Sequence, residues 1–290
     1  MRRAIPLLVV LTACSPTVAE PGPTDPTVAS TTTVSATTTS LVSTTTTVSS
    51  TTTPPDPHRR PDWLGTRPLP LREDGFGEVL PTPPELVDRS LATPALLAPP
   101  TSDSFSATVL PVPEEVVARS TWTPACPVGL DDLRYVTVTH WGFDGDHHTG
   151  ELLVHADHAY AIVDVFSALH AARFPIEEMR VIRTDELDLP PTGDGNVTTG
   201  FVCRPVVGSS AWSMHASGEA VDINPFHNPY VKGDLVLPEL ASAYTDRNDV
   251  RPGMIVEGDV VVQAFDAIGW HWGGRWTSLT DPMHFSTNGR

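Results

Sequence analysis

Positive charge is scarce in this sequence of 290 residues. It carries 18 Lys and Arg residues against 35 Asp and Glu, a net charge of −17, and Lys232 is its only lysine. Proteins that bind nucleic acid neutralise phosphate groups with Lys and Arg, so this balance disfavours nucleic acid as a partner and we expect none. Cysteine is scarce as well. Cys14, Cys126 and Cys203 are too few for a disulfide scaffold.

Long hydrophobic runs are also missing, since a bilayer span needs about 20 apolar residues. Near the N-terminus, Arg2 and Arg3 precede a short apolar stretch that ends in Leu11-Thr12-Ala13-Cys14. This pattern is typical of a secretion signal, and the Cys after Leu-x-Ala resembles the lipobox of bacterial lipoproteins. We predict a lipoprotein signal peptide over residues 1–14, with Cys14 as the lipidation site; an ordinary cleaved signal peptide is the alternative. In both cases the protein is extracytoplasmic, and in the first it is lipid-anchored to the bacterial cell membrane, facing the cell wall.

Residues 15–58 lack aromatic side chains altogether. They contain 16 Thr, 7 Ser and 7 Pro, which is 30 of 44 residues. Such a segment cannot bury enough apolar surface to offset a backbone entropy cost of about 1–2 kcal/mol per residue. The composition therefore predicts a disordered Thr/Ser/Pro-rich tether.

The rest of the chain divides at residue 121 by composition. Residues 59–120 are rich in proline but carry scattered large apolar side chains, which predicts a partly ordered collar with a short helix over 114–119. From 121 to 290 periodic patterns predict one domain. The predicted helices are 157–174, with Asp157 as N-cap and Tyr160 on the buried face, and 260–268; the predicted strands are 135–140, 181–182, 220–223 and 283–285. Because no regular βαβ rhythm appears, we expect an α+β fold with a small antiparallel sheet flanked by helices.

Two cysteines remain after export, Cys126 and Cys203. In an oxidising compartment we expect them to pair, closing a loop of about 77 residues that contributes about 4 kcal/mol by loop-entropy estimates. Neither cysteine belongs to a CxxC motif, so a structural zinc site is disfavoured.

The side chains that could bind a metal ion are the imidazoles of His215 and His284 and the carboxylate of Asp222. His215 and Asp222 lie in the stretch Ser213-Met-His-Ala-Ser-Gly-Glu-Ala-Val-Asp222, and His284 ends Asp281-Pro-Met-His284. Two imidazoles and one carboxylate leave the fourth position of tetrahedral zinc open for water, which is typical of catalytic sites. Zinc lowers the pKa of such a water to about 7, and Asp281 is placed to act on it as a general base. Eight of the other nine histidines lack such a context and are interpreted as ordinary polar residues: His140, His147, His148, His155, His158, His170, His227 and His271.

The spacing Ser-x-His-x-x-Gly-x-Ala-x-Asp followed by Asp-x-x-His resembles the VanY-like D-alanyl-D-alanine carboxypeptidase family of zinc peptidases. That family is related to lysostaphin-type peptidases and the hedgehog domain. The resemblance covers roughly residues 121–287. Further landmarks are Cys126-Pro127, Gly142-Phe-Asp-Gly145, Phe201-x-Cys-Arg204, Asp222-Ile-Asn-Pro225, Asn228-Pro-Tyr230 and Gly269-Trp-x-Trp-Gly-Gly-x-Trp276.

The resemblance implies a zinc site on the sheet and assigns roles to individual residues. His215, Asp222 and His284 would bind Zn²⁺, and Asp281 would be the catalytic acid/base, where many members carry the longer Glu. Ser213 and Arg204 would contact substrate. Arg204 would pair with a carboxylate or stabilise an oxyanion, or else be an ordinary surface arginine. Trp270, Trp272 and Trp276 would line a peptide groove, or else belong to the core.

The resemblance implies a secreted zinc metallopeptidase that hydrolyses peptide bonds of peptidoglycan stem peptides by zinc-activated water. The cleaved bond stays open between D-Ala–D-Ala (carboxypeptidase) and L-Ala–D-Glu or a cross-bridge (endopeptidase). The alternative function is a non-catalytic zinc-containing module that binds the cell wall, and the acidic residue at 281 favours the enzyme. A purely structural surface protein would leave two separate metal motifs unexplained. We expect a monomer.

Overall fold

The computed structural model describes residues 56–206 and 209–289. The predicted signal peptide, Cys14 and all but the last three residues of the predicted tether lie outside this part of the chain. Within the described residues, none of the helices has the length and apolar character that crossing a membrane requires.

The described residues form an α+β fold, in agreement with the predicted class. The α-helices are α1 (Pro84–Val87), α2 (Glu114–Arg119), α3 (Ala159–Ala171) and α4 (Val260–Ala267). The strands are β1 (Ala107–Leu110), β2 (Leu133–Trp141), β3 (His147–His155), β4 (Glu178–Met179), β5 (Val197–Thr198), β6 (Ala220–Asp222), β7 (Tyr230–Lys232), β8 (Leu235–Leu237), β9 (His271–Trp272) and β10 (His284–Ser286).

Two three-stranded antiparallel sheets replace the single small sheet that the sequence predicts. The first has the order β1-β2-β3, and β2 and β3 form a long hairpin with Leu133 opposite His155. The second has the order β6-β10-β9, with Phe285 opposite both Val221 and Trp272. The parallel pair β4–β5 and the hairpin β7–β8 complete the sheets of the described residues. The strand predicted at 181–182 is wrong, because the pairing with β5 occurs at β4, three residues earlier.

Helices α3 and α4 cover the two sheets and enclose the main core. Helix α3 buries Ile162, Val165, Phe166 and Leu169, which is the i, i+3, i+4, i+7 spacing of one helical face. The predicted start of this helix is wrong, since residues 156–158 form a 3₁₀ turn and His158, not Asp157, is the N-cap residue. Tyr160 lies off the buried face and is 72% exposed.

The collar packs onto the domain. Leu86 and Leu91 are buried in one cluster with Phe226, Leu240 and Tyr244 of the predicted domain. Helix α2 has the bounds that the sequence predicts, and β1 is an edge strand of the first sheet. The predicted boundary at residue 121 therefore does not separate two compact units, because residues on both sides of it share a core.

Candidate metal centre

The second sheet brings two of the predicted ligands together. Asp222 ends β6 and His284 begins β10, and the antiparallel register places them directly opposite each other. Opposed residues of neighbouring strands project from the same face, so both side chains reach one point. His215 approaches from a 3₁₀ turn over Met214–Ser217 that immediately precedes β6.

The turn that carries His215 is fixed at both ends. At its start the Ser213 hydroxyl accepts a hydrogen bond from the His215 backbone N–H at 3.3 Å. At its end Gly218 has a φ of +72°, in the left-handed region. A Cβ at position 218 would lie only 2.7 Å from the backbone nitrogen of His155, so the turn can pack against β3 only with glycine here.

The three side chains present donor atoms at the separations that zinc requires. His215 Nε2 lies 3.3 Å from His284 Nδ1, and the two Asp222 oxygens lie 3.2 Å and 2.9 Å from those nitrogens. Tetrahedral ligands at about 2.0–2.1 Å from zinc lie about 3.3 Å from one another. The donor set and its spacing thus fit a zinc ion, with one position left for water or substrate.

The Gly200 carbonyl determines which nitrogen of His215 faces the site. It accepts a hydrogen bond from His215 Nδ1 at 2.6 Å, which leaves Nε2 as the ligand atom. A Cβ at position 200 would lie 2.4 Å from the Leu153 carbonyl oxygen, so the residue must be glycine. Sequence analysis missed Gly200, since no motif marks a residue that acts through its backbone.

The electrostatics of the site separate its two carboxylates. Burial by itself would raise the pKa of Asp222, but the charges and hydrogen bonds of His215 and His284 hold that pKa well below its usual range. Asp222 is therefore ionised at any physiological pH, as a metal ligand must be.

Asp281 behaves in the opposite way. Burial, followed by the negative charge of Asp222, raises the pKa of Asp281 to about 7, while His284 and Arg204 oppose the rise. Its Oδ1 atom is buried and has no hydrogen-bond partner among the described residues. Its backbone is held by hydrogen bonds to Gly273 and His284 at 3.1 Å and 3.0 Å. A carboxyl group whose buried oxygen has no protein partner, beside three candidate metal ligands, is placed to take and return a proton.

Arg204 and Ser213 lie in the segment that leads into the His215 turn, where the Ser213 N–H donates to the Arg204 carbonyl at 3.3 Å. Cys126 and Cys203 form the disulfide that the sequence predicts, and this bond anchors the chain next to Arg204. The guanidinium of Arg204 is close enough to lower the pKa of Asp281, and no carboxylate of the described residues pairs with it. Ser213 acts within the fold as the cap of the His215 turn.

Trp270 and Trp272 lie in the core, the alternative to a peptide groove that the sequence leaves open for the tryptophans. Trp270 and Trp272 are 3% and 7% exposed and belong to the main core, where Trp270 packs against Phe265 and Trp272 Nε1 donates to the Pro282 carbonyl at 2.8 Å. Trp276 differs from both. It is half-buried, and its ring lies 5.6 Å from that of His284. The spacing of the tryptophans in the sequence does not predict which of them is buried, because their burial depends on which face of β9 packs against α4.

The remaining histidines stay apart from this centre. Within residues 56–206 and 209–289, His215, Asp222 and His284 are the only group of three or more His, Cys, Asp or Glu side chains with donor atoms close enough to share a metal. His140, His147, His148 and His170 cluster around Trp141 at the far end of the β2–β3 hairpin. His227 is buried against Arg89 and Asn196.

Comparisons with known proteins bear on the C-terminal part of the chain. No curated protein and no solved structure matches the sequence. The relation to lysostaphin-type peptidases and the hedgehog domain accordingly stays a prediction. Residues 207–287, which carry the three candidate ligands and Asp281, match the family model described as D-alanyl-D-alanine carboxypeptidase.

Proposed function

We propose that this protein is a zinc peptidase that hydrolyses peptide bonds in the stem peptides of peptidoglycan. The observation that carries the proposal is the grouping of His215, Asp222 and His284, whose nearest donor atoms lie 2.9–3.3 Å apart, beside the buried Oδ1 atom of Asp281. The family match over residues 207–287 supports a peptidase. Export and the choice of peptidoglycan as substrate belong to the proposal.

The residues of the chain have separate tasks in this reaction. A zinc ion held by His215, Asp222 and His284 would supply a Lewis acid that polarises the peptide carbonyl group and acidifies water. The oxygen of the attacking water forms a bond to the carbonyl carbon while the Asp281 carboxylate takes its proton. Asp281 then gives that proton to the nitrogen of the leaving amine as the C–N bond breaks, which returns Asp281 to its carboxylate form. The Gly200 carbonyl keeps His215 in the tautomer that can bind metal.

Arg204 gives this site a means of binding acidic substrates. Its guanidinium has no carboxylate partner among the described residues, and it lies close to Asp281. An Arg forms two parallel hydrogen bonds to a carboxylate, which gives orientation as well as affinity. Both the free C-terminus of a stem peptide and the carboxylate of an internal D-Glu offer such a group, so carboxypeptidase and endopeptidase activity both fit.

Zinc analysis and defined muropeptides test the function. We expect one zinc per chain in the wild type, and products identified by mass spectrometry after incubation with muropeptides. His215→Ala and His284→Ala remove a ligand each and should lose stoichiometric zinc and activity. His271→Ala, on an exposed β9 position, is the control and should lose neither. Unchanged zinc content in both ligand variants would refute the assigned site, and muropeptide binding without cleavage by the wild type would support the non-catalytic module.

The location of the protein is a second part of the proposal. The Arg2-Arg3 start, the short apolar stretch and the Leu-x-Ala-Cys14 sequence support an exported lipoprotein whose membrane attachment is through lipid alone. Cys14→Ser should then release the protein from the membrane fraction into the medium or the soluble fraction. Retention of the variant in membranes would argue for a different anchor.

A further inference from the structure

Tyr230 occupies a position beside Asp281 that the motifs do not explain. It begins β7, and the next residue, Val231, exchanges two backbone hydrogen bonds with Thr280, at 2.8 Å and 3.0 Å. In an antiparallel pairing, the residue before one member of such a pair lies opposite the residue after the other member. Tyr230 and Asp281 are therefore opposite each other. Their side chains project from one face of this pairing, and those of Val231 and Thr280 project from the other face.

The hydroxyl group of Tyr230 is available to a ligand. The residue is half-buried, and no protein group within residues 56–206 and 209–289 hydrogen-bonds its hydroxyl. Burial, and then the nearby charge of Asp281, raise the pKa of Tyr230 above its ordinary value. The hydroxyl thus stays protonated at neutral pH and can act as a hydrogen-bond donor.

The surroundings of Tyr230 indicate what this donor contacts. Asp281 is close enough to Tyr230 to raise its pKa, and Asp222, His284 and Arg204 are close enough to Asp281 to shift the pKa of that carboxyl group. A peptide group that is placed for proton transfer by Asp281 must lie within hydrogen-bond distance of that carboxyl group. Since Tyr230 and Asp281 project from the same face of the β7–Thr280 pairing, the Tyr230 side chain lies on the side where that peptide group would bind.

We propose that Tyr230 is a further substrate-contacting residue, whose hydroxyl donates a hydrogen bond to the carbonyl oxygen of the scissile peptide group. This inference rests on the proposed function of the site. As negative charge develops on that oxygen during attack by water, the hydrogen bond strengthens and stabilises the transition state more than the bound substrate. The contribution therefore falls on kcat more than on KM.

The test is Tyr230→Phe, which keeps the ring and removes only the hydroxyl. We expect kcat on the muropeptide that the wild type cleaves to fall by about 100-fold or more, as on removal of a single oxyanion donor, with KM nearly unchanged. A phosphinate analogue of the cleaved peptide presents a tetrahedral, negatively charged group, and its Kd should rise by at least about 10-fold. Zinc content and the thermal midpoint should stay at the wild-type values. Tyr160→Phe is the matched control, since Tyr160 is exposed on α3, and should change none of these quantities.

The outcomes separate this inference from the proposed function. Wild-type kcat and phosphinate affinity in Tyr230→Phe would overturn the inference and leave the function standing. A lower kcat with unchanged phosphinate affinity would also overturn it, because the hydroxyl would then act on Asp281 and not on substrate. If the wild type binds the phosphinate but cleaves no muropeptide, the function fails, and the phosphinate Kd of Tyr230→Phe still decides the inference. A wild type that neither cleaves nor binds overturns both.

Discussion

Asp222 and Asp281 show how one neighbourhood gives two carboxyl groups opposite properties. Asp222 faces two imidazoles, which stabilise its charged form and lower its pKa. Asp281 is buried without a hydrogen-bond partner for Oδ1 and lies near the charge of Asp222, so its neutral form is favoured. When two neighbouring titratable groups have pKa values shifted in opposite directions, one can stay ionised while the other exchanges a proton. A divalent cation on the three donors would add positive charge and lower the pKa of Asp281.

At the residue scale, the sharpest prediction concerns Asp281→Asn. The side chain is not among the three donors, so zinc content and the thermal midpoint should stay at the wild-type values. The amide cannot accept a proton from water, so kcat should fall by about 10²–10⁴-fold while KM changes little. Steady-state kinetics on the cleaved muropeptide, with metal analysis of the same preparation, measure both.

A surface control and a conservative variant at position 281 are needed to interpret the result for Asp281→Asn. Asp188→Asn, on the exposed surface, should behave as the wild type and serves as the matched control. Asp281→Glu keeps the carboxylate and lengthens the side chain by one methylene, so it should keep part of the activity. Wild-type turnover by Asp281→Asn would exclude Asp281 as the proton carrier.

At the scale of elements, the site depends on how a 3₁₀ turn meets two strands. The turn over Met214–Ser217 supplies His215, β6 supplies Asp222 and β10 supplies His284. Gly218 joins the turn to β6, and its carbonyl accepts a hydrogen bond from the His155 N–H of β3 at 2.8 Å. The first sheet therefore positions the turn that carries His215, while the second sheet carries the other two candidate ligands.

Gly218→Ala should damage both stability and metal binding. A left-handed conformation costs a residue with a Cβ about 1–2 kcal/mol, and here the new Cβ would also meet the His155 backbone at 2.7 Å. Gly145→Ala is the control, because Gly145 has a φ of +78° but nothing within 4 Å of its Cβ position. Denaturant unfolding should show a larger loss for Gly218→Ala. Zinc affinity by competition with a chelator should fall about 10-fold or more in that variant alone. Equal losses of stability and equal zinc affinity in the two variants would contradict the role of this contact.

At the scale of the whole molecule, the collar is held by a buried ion pair. Arg89 donates to both Glu177 oxygens at 2.7 Å and 2.8 Å, and both side chains are almost completely buried. Arg60 and Asn196 also donate to Glu177, at 3.0 Å and 2.7 Å. Although burial opposes ionisation, these partners hold the pKa of Glu177 below its usual range, with Arg89 the strongest among them. Residues 56–92 are thus joined to the domain by charge as well as by apolar contacts.

Arg89→Met should therefore destabilise the whole unit. Met keeps much of the volume of the side chain but leaves the Glu177 carboxylate buried with fewer partners, which typically costs about 3–5 kcal/mol. Arg59→Met is the matched control, because the Arg59–Asp62 pair is exposed and such pairs contribute about 0–1 kcal/mol. The double variant Arg89→Met/Glu177→Gln removes the uncompensated charge and should recover part of the loss. Urea unfolding gives the free energy of unfolding of the wild type, the two single variants and the double variant. Equal free energies for the two single variants would show that the Arg89–Glu177 pair does not hold the collar.

Local sequence determined the parts of this protein that depend on residue type and short spacing. Two imidazoles and a carboxylate define a metal donor set by their chemistry, wherever the fold places them. The bounds of α2 follow from Pro113 and two acidic residues at its start. The two cysteines outside the N-terminal segment, Cys126 and Cys203, predict their own pairing.

Only the tertiary structure decided what depends on register and burial. His284 meets Asp222 because β10 pairs with β6 in one register, and a shift of one residue would turn its side chain to the other face. The same register and the packing of α4 bury Trp270 and Trp272 and leave Trp276 at the site. The Gly200 carbonyl, the position of Tyr230 and the pairing of Arg89 with Glu177 arise from contacts between distant segments. A local pattern reports the periodicity of its own segment, and it holds no information on which distant segment will satisfy its polar groups.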